Sequence, residues 1–212
     1  MRKLPVYILL DCSGSMYGEP IEAVKNGLQV LTGALKQDPY ALETAFLSVI
    51  TFDSDAKQVV PLTEIANFQP PQLNASGCTA LGEALSLVAK CADKEVVKTS
   101  EEKKGDWKPL VFIMTDGEPT DDLNKGLADF KQRKWGTVVA CAAGTRANTD
   151  VLKKITENVV SLDTTDTATI QKFFKWVSAS VSANSMRVEE GGGELTSLGE
   201  LPPPPPEVNI VI

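Results

Sequence analysis

Histidine does not occur in the 212 residues, which removes Ser-His-Asp and Cys-His triads, imidazole zinc sites and histidine phosphorelays at one stroke. Basic residues are scarce too. Lys and Arg number 21 against 28 Asp and Glu, a net charge of −7, and no Lys/Arg-dense stripe occurs, so a surface for a nucleic-acid backbone is not expected. The balance points to a protein partner. No apolar run approaches the length of a membrane span. The run from Leu4 to Leu10 stops at Asp11 instead of a cleavage-site pattern, so no secretory leader is read there. The cysteines Cys12, Cys78, Cys91 and Cys141 lack Cys-x-x-Cys spacing, fall within expected core elements or their ends and read as reduced cytoplasmic thiols, Cys12 and Cys78 as small, semi-buried ones. Cys12 and Cys78 fall in loops expected side by side, where a disulfide is conceivable, although it would brace loops better left to bind a ligand.

With 42% hydrophobic and 23% charged residues, the chain has enough apolar material for one sizeable core. Val6 to Leu10 and Leu110 to Met114 are unbroken apolar runs, the pattern of central strands buried on both faces of a parallel sheet. Thr44 to Phe52, Val138 to Ala143 and Val159 to Leu162 read as further strands. Lys57 to Leu62 contains Pro61 and belongs at an edge. Apolar residues recur at helical spacing in Ile21, Val24, Leu28, Leu31 and Leu35, in Leu81, Leu85, Val88 and Ala92, and in Leu123, Leu127 and Phe130. Thr120, Asp121 and Asp122 supply a cap and an acidic first turn to the third of these helices. Asp166 or Thr167 opens a last helix carrying Ile170, Phe173, Phe174, Val177 and Val181. The expected fold is a doubly wound, mostly parallel α/β sheet with helices on both faces and one antiparallel edge strand. It occupies residues 1–183. Residues 184–212 form a tail: Gly191 to Gly193, a stiff Pro202 to Pro206 spacer, and an apolar end from Val208 to Ile212 that suits either an added strand or a disordered terminus.

In such folds ligands sit at the C-terminal ends of the strands. Asp11 follows the first strand directly and begins Asp11-Cys12-Ser13-Gly14-Ser15, one carboxylate and two hydroxyls on alternate residues. A hard cation such as Mg2+ takes about six oxygen ligands at roughly 2.0–2.1 Å, and these three supply half of that shell. Gly77-Cys78-Thr79 offers another hydroxyl, and Thr115-Asp116-Gly117, after the second apolar run, another carboxylate. The order Asp-x-Ser-x-Ser, then Thr, then Asp-Gly, carried by Asp11, Ser13, Ser15, Thr79 and Asp116, resembles the metal-ion-dependent adhesion site of von Willebrand factor A (vWA) domains, over about residues 4–182. The opening Leu4 to Asp11 and the continuation Gly18 to Val24 look most like bacterial TerY-type vWA proteins of tellurite-resistance loci. The resemblance implies Mg2+, with Mn2+ or Ca2+ as substitutes, bound by those five residues. It also implies a partner Asp or Glu as a further ligand, and an association with a protein kinase and a PP2C-type phosphatase.

Blander readings stand beside these. Ser13 or Ser15 could cap the helix near Glu19, Thr79 could cap the helix after it, and Asp53, Asp55, Asp121 and Asp122 suit turns and caps. Met16 suits the core as well as it suits an exposed contact with Tyr17. Thr196 and Ser197 are accessible hydroxyls that phosphorylation could use. A Mg2+-dependent phosphotransfer or phosphohydrolase enzyme is the main alternative, yet Ser13 stands where haloacid-dehalogenase-type enzymes carry a second Asp, and no Gly-x-x-x-x-Gly-Lys-Ser/Thr loop occurs. A chelatase-associated vWA subunit is a further alternative. The expectation is a metal-dependent interaction module without catalytic residues.

Overall fold

β1 (Leu4–Asp11) shows why an apolar run without alternation makes a central strand. Its side chains still alternate in space, so Leu4, Val6, Ile8 and Leu10 enter one core while Tyr7 and Leu9 enter the other. β4 (Leu110–Thr115) divides in the same way, with Phe112 and Met114 on one side and Val111 and Ile113 on the other. The computed structural model describes residues 2–193 and 195–211.

β2 (Ala45–Phe52), β3 (Ala56–Glu64), β5 (Val138–Ala143), β6 (Val159–Leu162) and β7 (Asn209–Ile210) complete the sheet, in the order β3-β2-β1-β4-β5-β6-β7. The pairs β1–β2, β1–β4, β4–β5 and β5–β6 are parallel. The strand containing Pro61 lies antiparallel at one edge, as its proline requires. The opposite edge holds a second antiparallel strand, β7, contributed by the tail.

α1 (Glu19–Gln37), α2 (Pro39–Thr44) and α6 (Thr167–Glu189) cover one face. α3 (Leu81–Glu95), α4 (Leu123–Lys131) and α5 (Thr149–Lys153) cover the other. α1 and α6 lie so close that a Cβ on Gly27 would stand 2.1 Å from Cδ2 of Phe174, a position only glycine can fill.

Three local readings change. The strand expected from Thr44 begins at Ala45, because Asp38 caps a short helix through Tyr40 N–H and Ala41 N–H and Thr44 ends it. Asp122, not Thr120, caps α4, accepting from Asn124 N–H and Lys125 N–H. The compositional break placed at residue 183 falls inside α6, which runs on to Glu189. Beyond it Leu195, Leu201 and Val208 are buried in the core on the α1/α6 face. Trp176 Nε1 donates to the Pro202 carbonyl at 2.8 Å, and Val211 N–H donates to the Val159 carbonyl at 2.9 Å.

Candidate metal centre

Each loop at the C-terminal rim starts where a parallel strand stops. β1 ends on Asp11, and the chain passes through a 3-10 turn, Gly14–Met16, before α1. Met16 is fully buried and anchors this turn, while Tyr17 beside it is 80% exposed. β4 ends on Thr115, next to Asp116. The segment before α3 brings Gly77 to Thr79 against the first loop, with Gly14 N–H donating to the Gly77 carbonyl at 3.1 Å and Ser76 N–H to the Cys12 carbonyl at 2.8 Å. Gly77 is required here: its φ is +73°, and a Cβ would lie 2.3 Å from Ser54 Oγ.

Four of the five expected residues join in one hydrogen-bonded chain. Asp11 Oδ1 accepts from Ser13 N–H at 2.8 Å, the Ser13 and Ser15 hydroxyls are 3.0 Å apart, and Ser15 Oγ donates to Asp116 Oδ1 at 2.6 Å. Thr79 is outside this chain of bonds, its hydroxyl 3.7 Å from the point a Cβ on Gly117, the residue after Asp116, would occupy. Capping does not account for these hydroxyls. The N-cap positions of α1 and α3 are Gly18 and Ala80, and neither of these residues makes a side-chain cap bond.

Two contributors escaped the sequence reading. Thr115 donates its hydroxyl to Asp11 Oδ2 at 2.5 Å and so fixes the carboxylate's second oxygen. The only signal for it was its place before Asp116 at a strand end. Arg146, in the loop after β5, reaches Asp116 Oδ2 with Nη2 at 3.2 Å. Nothing in the local sequence marks it, because the contact depends on β5 lying beside β4. The acidic residues nearby act as braces. Asp121 accepts from Gly82 N–H and Glu83 N–H at the start of α3, Thr120 Oγ1 accepts from Thr79 N–H, and the Asp53 carbonyl accepts from Ala80 N–H.

Asp11, Ser13, Thr79 and Asp116 are all at least 94% buried. Burial raises the Asp11 pKa above the usual carboxylate range, and bonds from Ser13 and Thr115 pull it back. A cation would relieve that desolvation. Among the described residues no group of three or more His, Cys, Asp or Glu side chains is placed to hold a metal. A site here depends on hydroxyls, with two carboxylates. Neighbouring ligands of an octahedral Mg2+ stand about 2.9 Å apart, given bonds of roughly 2.0–2.1 Å. The 3.0 Å separation of the Ser13 and Ser15 hydroxyls fits that edge. The cysteines are free. Cys12 is buried and Cys78 is exposed, so the two are not alike as semi-buried thiols.

A family model for the von Willebrand factor type A domain matches residues 6–176. The chain belongs to this family. An uncharacterized protein of Synechocystis, sll0103, is 32% identical over 168 residues, covering 73% of this chain and 36% of its own length. Among solved structures, a von Willebrand factor type A protein from Catenulispora acidiphila superposes with a TM-score of 0.66 at 22% identity, over 86% of this chain and 43% of that one. Proximal thread matrix protein 1 of the mussel byssus gives 0.62 at 18% identity, over 84% and 48%. The pilus adhesin SpaC of Lactobacillus rhamnosus GG gives 0.67 at 12% identity, over 87% and 31%. At these identities the structures share the fold, and this vWA chain spans less than half the length of each of these relatives. None of the described helices is long and apolar enough to cross a membrane.

Proposed function

We propose that this vWA chain is a metal-dependent protein-interaction module, in which Asp11, Ser13, Ser15, Thr79 and Asp116 hold one Mg2+ and a partner's Asp or Glu completes the shell. The observation that carries the reading is the hydrogen-bonded chain from Asp11 through Ser13 and Ser15 to Asp116, built from two separate loops over strand ends. Two carboxylates balance the ion's charge and the remaining donors are neutral, so a bound ion stays electrophilic toward an incoming carboxylate.

In this role the site turns over no substrate. Asp11 is engaged by Ser13 and Thr115, and no second carboxylate stands two residues on to act as a general acid. The TerY-like opening motif supports a finer proposal of a cytoplasmic role in a tellurite-resistance system with a kinase and a PP2C-type phosphatase. Mn2+ or Ca2+ are candidate substitutes for Mg2+.

Asp11→Ala should abolish Mg2+ binding in calorimetry while leaving circular dichroism near native, because the residue lies on the rim outside both cores. A lysate pull-down in Mg2+ against EDTA, followed by exchange of the captured partner's acidic residue for its amide, tests the bridge. Partner loss that is equal in Mg2+ and EDTA would overturn it.

A further inference from the structure

We propose that Arg146 is a tethered counter-cation of the metal centre, holding Asp116 in the absence of an ion and turning to the partner's carboxylate when an ion is bound. The inference rests on the metal-centre reading above. Its basis is a contrast in burial within one ion pair: Asp116 is 2% exposed and the Arg146 side chain 71% exposed, with 3.2 Å between Nη2 and Oδ2. The largely exposed Arg146 side chain therefore reaches in to a carboxylate that solvent hardly touches. Ser15 engages the other oxygen of Asp116, so the chain itself occupies both. The position follows from topology. β5 pairs in parallel with β4, Thr115 opposite Ala142, and the chain leaves β5 through Gly144, whose φ is +81°.

A divalent ion among Ser13, Ser15 and Asp116 would face this guanidinium across a few ångströms, and like charges at that range repel. The pair with Asp116 is the weaker side of the competition, since an ion pair with one exposed partner is screened by water and salt. Once displaced, the guanidinium sits beside the ion with its planar fork of donors turned outward. A carboxylate has two oxygens. The ion takes one and the fork takes the other, which favours a carboxylate over a carbonyl or hydroxyl ligand in that position.

The test uses the whole chain as wild type, R146K and R146Q. With MgCl2 alone, calorimetry at low salt should show R146Q binding Mg2+ about threefold to tenfold more tightly than wild type, R146K staying close to wild type, and the difference shrinking in high salt. The Arg146 Nε–Hε signal in wild type, assigned by its loss in R146K, should shift as Mg2+ is added. At saturating Mg2+, the capped peptide acetyl-Gly-Glu-Gly-amide should bind about tenfold more weakly to R146Q than to wild type, and its Gln counterpart should bind neither. Equal Mg2+ affinity with an unmoved Nε signal would overturn the counter-cation. Peptide binding that is absent in Mg2+-loaded wild type, or unchanged in R146Q, would overturn the turn toward the partner. Mg2+ binding by none of the three proteins would remove the metal-centre reading itself, whereas binding by R146Q alone would uphold the counter-cation in its strongest form.

Discussion

Burial separates the four thiols more sharply than their spacing suggests. Cys141 lies in β5 with no exposure, and desolvation alone pushes its thiol far above the ordinary range. Burial pushes Cys12 up to about 12, with Asp11 adding to the shift, and Cys91 up to about 11, with Glu95 adding. The thiolate is the reactive form, so these three are inert near neutral pH. Cys78 is exposed. DTNB at pH 8 should therefore titrate one thiol quickly in the native chain and four after unfolding. Two fast native thiols would mean that the segment carrying Cys91 or the loop carrying Cys12 opens. At this scale the candidate ligands were legible because they cluster in short motifs, Asp11 to Ser15 and Asp116-Gly117. Arg146 was not, since it is 30 residues from Asp116 and its neighbours carry no pattern.

At the scale of elements, α6 shows how a cap becomes a pH dependence. Asp166 accepts from Thr164 Oγ1 and from Thr169 N–H, and these bonds, the Thr164 hydroxyl foremost, hold its carboxyl below the usual range. A lowered folded-state pKa gives stability that is present above the unfolded pKa and lost as pH falls through the folded one. Asp166→Ala should cost about 1 kcal/mol at pH 7, the usual worth of an N-cap. Urea midpoints should show the gap to wild type closing as pH is lowered below the carboxylate range. A gap that stayed constant to acid would place the effect in packing. Periodicity revealed the long helices, because each buries one apolar stripe. α2 was missed because six residues are too few to show a period, although Asp38-Pro39 marked its start.

Across the whole molecule, the tail behaves as part of the fold. Leu195, Leu201 and Val208 are buried in the α1/α6 core, Leu195 N–H donates to buried Asn184 Oδ1 at 3.1 Å, and Lys172 pairs with Glu207. Each buried aliphatic side chain is worth about 1.5–3 kcal/mol, an upper estimate because unfolded chains are partly compact. Truncation after Gly193 should therefore lower the urea midpoint by an amount equivalent to several kcal/mol. In the full chain, Val211 N–H, bonded to the Val159 carbonyl, should resist hydrogen exchange, and Trp176→Ala, which removes the indole bond to Pro202, should relax that protection. An unchanged midpoint together with fast exchange at Val211 would show that the tail does not dock.

The central strands, the long helices and the grouping of Asp11, Ser13 and Ser15 were determined by sequence alone, because each rests on residues within a few positions of one another, where periodicity and chain geometry act directly, and the α/β fold class followed from the alternation of those strands and helices along the chain. Tertiary structure decided the rest. The second antiparallel edge strand, Asp121 at the start of α3, Thr115 on Asp11 and Arg146 over Asp116 are contacts between segments far apart in the chain. Such contacts are set by strand order and register, which no local pattern encodes.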